Sequence, residues 1–151
     1  MAESLISLIQ DRFLAEIATH ARQAHPEECC GMILASGLRR CKNIQDELHR
    51  LDPVAHPRPA RTGFAFTAED TIFLIDSLES DDPVLAVYHS HPDGSAQFSH
   101  ADATGAAAYP DLFHLVVACS AEGDLRAVLY GGNGRFFSPV HGAFPSRVCR
   151  G

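Results

Sequence analysis

Apolar positions along the chain recur with two different periods. From Asp11 onward, Leu14, Ile17, Ala18, Ala21 and Ala24 fall at helical spacing with Arg12, Glu16, Arg22 and Gln23 between them, which predicts an amphipathic helix ending near His25-Pro26. Residues 29–35 form a short apolar run that Ser36-Gly37 turns back into residues 38–44, the pattern of a hairpin. Residues 64–66 read as a short extended piece. Thr67-x-x-Asp70 then opens a second helix carrying Ile72, Phe73, Ile75 and Leu78, which Asp81-Asp82-Pro83 stops. Residues 84–88 are short, apolar and entered from a proline turn, so they read as a buried strand running into His89-Ser90-His91-Pro92. Residues 99–108 have helix composition and their own cap, and Tyr109-Pro110 ends them. The tail alternates strand-like runs at 112–120, 125–130 and 135–140, separated by Ala121-Glu122-Gly123-Asp124 and Gly131-Gly132-Asn133-Gly134.

The order helix, hairpin, helix, strand, helix, meander predicts an α/β (α+β) fold, a mixed and mostly antiparallel sheet flanked by about three helices. A chain of 151 residues with no internal repeat or low-complexity tract is expected to be one domain over residues 1–151. The proline-rich stretch 52–61 reads as a surface loop inside that domain.

Composition narrows the function. A net charge of −7 disfavours nonspecific binding to nucleic-acid phosphates or anionic lipid. No apolar run approaches the ~20 residues that span a bilayer, and no basic region precedes an apolar stretch at the N-terminus, so no membrane partner and a cytoplasmic location are expected. Five cysteines, an odd number without a Cys-x-x-Cys pair, read as small buried thiols rather than a disulfide framework or a metal knuckle. Adjacent Cys29 and Cys30 are expected on opposite faces of a strand. Nine histidines are more than a chain of this length usually carries, and their spacing is what matters.

The informative segment runs from His89-Ser90-His91-Pro92 to Ser99-His100-Ala101-Asp102. Two histidines one residue apart at the end of a strand can turn both imidazoles toward one point. A carboxylate from the next element, Asp102, can close the set. Two nitrogens and an oxygen around an open fourth position form the ligand pattern of a catalytic zinc site. His-x-His, seven residues, Ser, two residues, Asp arises by chance in roughly one shuffled chain of this composition in a few hundred. An ordinary helix cap explains Ser99 and Asp102 equally well, but leaves the histidine pair unexplained. Other histidine-pair sites each fail on a residue: a metallo-β-lactamase-like site needs a histidine where Gly94 stands, a cupin-like site needs a glutamate where Ser95 or Ala96 stands, and a zinc deaminase needs an absent Pro-Cys-x-x-Cys. Two imidazoles and a carboxylate also suit other divalent metals.

This pattern resembles the JAMM, or MPN-plus, zinc metalloproteases of the JAB type, in particular their small stand-alone bacterial members. The signature of that family is matched without a gap at His89, Ser90, His91, Pro92, Ser99 and Asp102, and its upstream segment resembles residues 25–33. The resemblance implies one zinc ion per chain held by His89, His91 and Asp102. It places the family's general base and acid at Glu28, with Glu27 the neighbouring alternative, and gives Ser99 the role of hydrogen-bond donor to the oxygen on which charge develops. Ser90 and Pro92 are expected to shape the strand-end turn, and Asp93 and Gln97 to lie where a substrate passes. The implied substrate is a protein or peptide, of the ubiquitin-like or sulfur-carrier kind, its tail added as a strand beside the sheet near the site. The competing class is a non-catalytic MPN-like binding or scaffold module. His100 is expected to point away from the metal ligands; His20, His49, His56, His114 and His141 have no partner spacing that implies a site, and Cys119 is expected in the core.

Overall fold

The strand that carries both histidines lies inside the sheet. In the computed structural model, which describes residues 2–141, the chain opens with α1 (Ala2–Leu8), a π-helical turn (Ile9–Phe13) and α2 (Leu14–Ala24). The hairpin β1 (Cys30–Leu34) and β2 (Leu38–Cys41) follows, then α3 (Gln45–Leu51) and α4 (Ala68–Ser77). After β3 (Val84–His91) come α5 (His100–Ala106), β4 (Phe113–Cys119), β5 (Leu125–Tyr130) and β6 (Phe136–Val140). The sheet order is β2-β1-β3-β4-β5-β6. Every pairing is antiparallel except β3 with β4, whose parallel register sets Val87 beside His114 and His89 beside Val116. The sheet is therefore mixed and mostly antiparallel, as the element order implies, with a helical crossover where parallel strands require one.

Each face of the sheet has its own core. On one face Leu5, Ile9, Phe13, Leu14 and Ile17 pack against Ile33, Ala86, Tyr88, Leu115 and Val117. On the other, Cys30, Met32, Val87, Leu74 and Leu112 cluster with Phe64, Phe66, Phe73 and Tyr109, while Val116, Ala118 and Tyr130 pack with Ala96 and Phe98 from the loop after β3. Cys29 and Cys30 fall in opposite cores, as alternation along a strand requires. Cys29, Cys30, Cys41 and Cys119 are buried free thiols, and burial raises the pKa of each. Among the described residues no helix is long and apolar enough to cross a membrane.

Several elements differ from the periodicity reading. The first helical stretch starts at Ala2 rather than Asp11, because Leu5 and Ile9 enter the same core as Leu14 and Ile17. The helix α3 is an addition: Leu48 and Leu51 are its only apolar residues, and Leu51 is 79% exposed, so no amphipathic stripe announces it. Residues 64–66 form no strand; Phe64 and Phe66 instead pack side by side on the second core. The strand expected over 84–88 continues to His91, since His89 pairs with Cys30 and Ser90 and His91 stay in register with β4. Ser90 is consequently a strand residue, and the turn begins at Pro92.

Candidate functional site

Alternation along β3 puts Val87, His89 and His91 on one face, beneath the loop and helix that follow. His89 is 1% exposed and His91 8%, so neither is a solvated surface imidazole. Each ring is fixed from outside the pair. Phe64 stacks on His89 with centroids 4.6 Å apart and an angle of 24°. His91 Nδ1 donates to the Ser95 carbonyl at 3.0 Å, which leaves Nε2 of the neutral ring with its lone pair inward. The turn that returns Ser95 to this position passes through Gly94 at φ 82°, a left-handed conformation that glycine adopts without a Cβ penalty.

The two Nε2 atoms stand 3.0 Å apart. Asp102 Oδ1 lies 3.1 Å from His89 Nε2, and Oδ2 lies 3.2 Å from His91 Nε2. What aims this carboxylate is the start of α5. Ser99 Oγ accepts the Asp102 backbone N–H at 3.0 Å, and Asp102 Oδ2 accepts the Ser99 N–H at 2.9 Å, a reciprocal capping box. The cap and the convergence on the histidines thus coexist in one carboxylate. Burial alone would raise the Asp102 carboxyl, but its hydrogen bonds to His89 and His91 hold it well below the ordinary carboxylate range. Burial lowers His89; it would lower His91 too, but the hydrogen bond and charge of Asp102 raise that ring.

Glu28 arrives from the other side, at the residue pair before β1. Its backbone N–H donates to the Ala60 carbonyl at 2.8 Å and its carbonyl accepts from Asn43 Nδ2 at 2.9 Å. The next residue, Cys29, donates its N–H to Ser90 Oγ at 2.8 Å. The Glu28 side chain is 5% exposed and its Oε1 has no hydrogen-bond partner. Burial pushes this carboxyl up to about 8, against the opposing pull of His91. One oxygen of Glu28 and one nitrogen of each histidine lie within 4.8 Å of one another, a Glu-His-His group that could hold a metal ion.

The donor set fits a divalent cation. Ligand atoms at about 2.0–2.2 Å from a tetrahedral zinc stand about 3.3–3.6 Å apart; the two Nε2 atoms are 3.0 Å apart and each lies 3.1 to 3.2 Å from its own oxygen of Asp102, slightly tighter. Two imidazole nitrogens 3.0 Å apart beside a carboxylate need a cation or a proton between them.

Two clefts meet here. A polar one of ≈ 440 Å³ is lined by Glu28, Arg58, Arg61, His91, Ser99 and the loop residues Asp93 and Gln97. An apolar one of ≈ 400 Å³ has His89 and Asp102 at its edge. Glu27 and His100 are exposed. His20 and His49 make contacts elsewhere, to Tyr88 and to the His56 carbonyl, and His141 is exposed at the end of the described residues. Sequence reasoning missed the supports: Phe64 behind His89, the Ser95 carbonyl on His91, and Asn43, which also accepts the N–H groups of Gln45 and Ala65 and so binds the Glu28 segment to the loop opposite. None has a spacing signal, because each meets its partner through tertiary packing. The expected added strand also meets a constraint: among the described residues β3 is flanked on both sides, and the edge strands of the sheet are β2 and β6.

The profile of a family described as prokaryotic homologs of the JAB domain matches residues 10–130. Tail tip assembly protein K of Escherichia phage N15 is 30% identical over 124 residues, covering 80% of this chain and 44% of the phage protein. The chain therefore spans less than half the length of that relative. Among solved structures, a protein of Desulfitobacterium hafniense superimposes with a TM-score of 0.57 at 19% identity over 91% of each chain. One of Salinibacter ruber does so with a TM-score of 0.50 at 23% identity over 90% of each. These two likenesses concern the fold.

Proposed function

This chain belongs to the family of prokaryotic homologs of the JAB domain, and from that premise we propose that it is a zinc-dependent metallopeptidase or isopeptidase. Its substrate in this reading is an amide bond at the C-terminus of a ubiquitin-like or sulfur-carrier protein. The observation that carries the reading is the convergence of His89 Nε2, His91 Nε2 and the Asp102 carboxylate within 3.0 to 3.2 Å, beside a buried glutamate oxygen that has no partner.

His89, His91 and Asp102 would hold the metal. When bound, a zinc ion acidifies a water, polarises an amide carbonyl and, through its charge, favours the ionised form of Glu28. Glu28 accepts a proton from the attacking water and delivers it to the leaving amine nitrogen, a role suited to a carboxyl that burial moves toward neutral pH. Ser99 Oγ accepts the Asp102 N–H and keeps its own hydroxyl proton free, so it donates to the carbonyl oxygen as negative charge builds there. Arg58 and Arg61 line the polar cleft beside Glu28 and suit an acidic or carboxylate-bearing stretch of the tail. An extended tail lies in that cleft between residues 58–62 and 92–99. The test is cleavage, read by mass, of sulfur-carrier proteins extended at their C-termini: the wild-type protein cuts, and Glu28→Gln, still folded, does not. Failure of the zinc-loaded wild-type protein to cut any extended carrier would overturn the substrate assignment.

A second reading is a non-catalytic module for assembly, favoured by the likeness to the phage tail tip assembly protein. Folded protein that takes up no zinc in equilibrium dialysis would select it over the hydrolase.

A further inference from the structure

The apolar cleft beside the site is lined by a residue that the proposed reaction does not use. His114, on β4, is 7% exposed and lines the ≈ 400 Å³ cavity together with Phe64, Phe66, Leu74, Tyr109 and Leu112. His89 and Asp102 lie on the same cavity wall, which places the cavity directly against the two-histidine site. The volume lies within the range of pockets that bury small ligands. Its aromatic walls favour edge-to-face or offset contact with another ring.

His114 breaks this apolar character. Its Nε2 is buried without a hydrogen-bond partner, one of three such side-chain atoms among the described residues, the others being Glu28 Oε1 and His89 Nδ1 of the site itself. A buried ring nitrogen without a partner is costly, and native proteins rarely leave one unless something else satisfies it. The ring is held by Phe98, with centroids 5.4 Å apart, and its place in the strand is fixed by pairing to Val87 and Tyr130. An apolar residue at this position would extend the cavity wall without cost. A histidine here makes sense if the occupant brings a polar atom to the imidazole.

We propose that this cavity is the specificity pocket for the residue flanking the scissile amide, and that it selects a tyrosine-like side chain whose ring packs among Phe64, Phe66 and Tyr109 and whose hydroxyl pairs with the His114 imidazole. The phenol either donates to a ring nitrogen or accepts from it, according to the imidazole tautomer, so the match does not require a charged histidine. Aliphatic occupants leave His114 unpaired, as does phenylalanine. The assignment rests on the hydrolase reading for its orientation of the substrate, but it is testable by binding alone.

The experiment is a titration of the zinc-loaded protein with N-acetyl-L-tyrosinamide, N-acetyl-L-phenylalaninamide and N-acetyl-L-alaninamide, followed by NMR of the histidine ring protons. The tyrosine amide is expected to bind about fivefold more tightly than the phenylalanine amide, the change in an equilibrium that one hydrogen bond typically supplies. It should shift the His114 resonances, and the alanine amide should not bind. In His114→Phe the preference for tyrosine disappears while the phenylalanine amide still binds; if that variant fails to fold, the wild-type series decides. Equal binding of the tyrosine and phenylalanine amides, binding of the alanine amide, or shifts confined to residues outside the cavity would overturn the proposal. A tyrosine preference in a protein that cleaves no amide would overturn the hydrolase reading and leave the pocket standing. Cleavage without that preference would do the reverse.

Discussion

Ser90 Oγ accepts the backbone N–H of Cys29 at 2.8 Å, which ties the residue after Glu28 to the residue between His89 and His91. The Ser90 N–H returns a bond to the Cys29 carbonyl at 3.1 Å, so the tie is double and one half of it is a side chain. Removing the hydroxyl in Ser90→Ala strands a buried donor, at a cost of about 1–3 kcal/mol. Zinc content is expected to persist, because no ligand is lost, while turnover falls as Glu28 loosens. Denaturant unfolding and kcat of the same preparation check both. Unchanged stability and turnover would mean that the tie does not hold Glu28 in place.

Glu28→Gln separates chemistry from structure. The amide has nearly the shape of the acid but cannot carry the proton, so hydrolysis is expected to fall by about 10²- to 10⁴-fold, the usual worth of a positioned acid or base. The metal-free protein adds a second readout. With a carboxyl raised from 4.5 to about 8, the unfolded chain gives up its proton first. Stability from this group is full below about pH 4.5 and is lost as pH rises to about 8. Urea midpoints of metal-free wild type should fall across that window relative to Glu28→Gln, and parallel pH profiles would contradict the buried-acid assignment.

His20 gives the opposite sign, on the other face of the sheet from the histidine pair. Its Nδ1 meets the Tyr88 hydroxyl at 2.7 Å, and burial lowers its pKa from 6.5 to about 4. The unfolded chain takes up the proton first as pH falls. The stabilisation is therefore full above about pH 6.5 and is lost on acidification through about 4. His20→Gln should flatten part of the acid loss of stability, measured by urea unfolding at pH 7 and pH 4.5.

The core beneath this pair has little slack. A Cβ on Gly31 would run into the Tyr88 ring, its partner in the β1–β3 register. Tyr88 is fully buried, so the ring has no solvent to move into. Gly31→Ala is expected to cost about 1–3 kcal/mol through overpacking. An unchanged thermal midpoint would show that the ring can yield.

What was legible in the chain divides along local and nonlocal lines. The two-residue spacing of His89 and His91 and the three-residue spacing of Ser99 and Asp102 are local. The strand face and the helix cap that express them follow directly from backbone periods. Glu28 carries no such spacing and was reached through the resemblance; only the β1–β3 pairing brings it to the histidines. His114 read as incidental for the same reason. Its neighbour Val87 is brought alongside by a parallel pairing across a crossover, which no period in the sequence records. The helix α3 has no signal in the sequence because its buried residue is the polar Gln45 and Leu51 is exposed, so it lacks the apolar stripe by which a helix is read.

The metal is the centre of the proposed site. Zinc per chain, measured by elemental analysis after equilibrium dialysis, should come to about one in the wild type and in Glu28→Gln, and to near zero in His91→Ala and Asp102→Ala that remain folded by circular dichroism. Wild-type protein that is folded and free of zinc, or that keeps its zinc when His91 or Asp102 is removed, would contradict it.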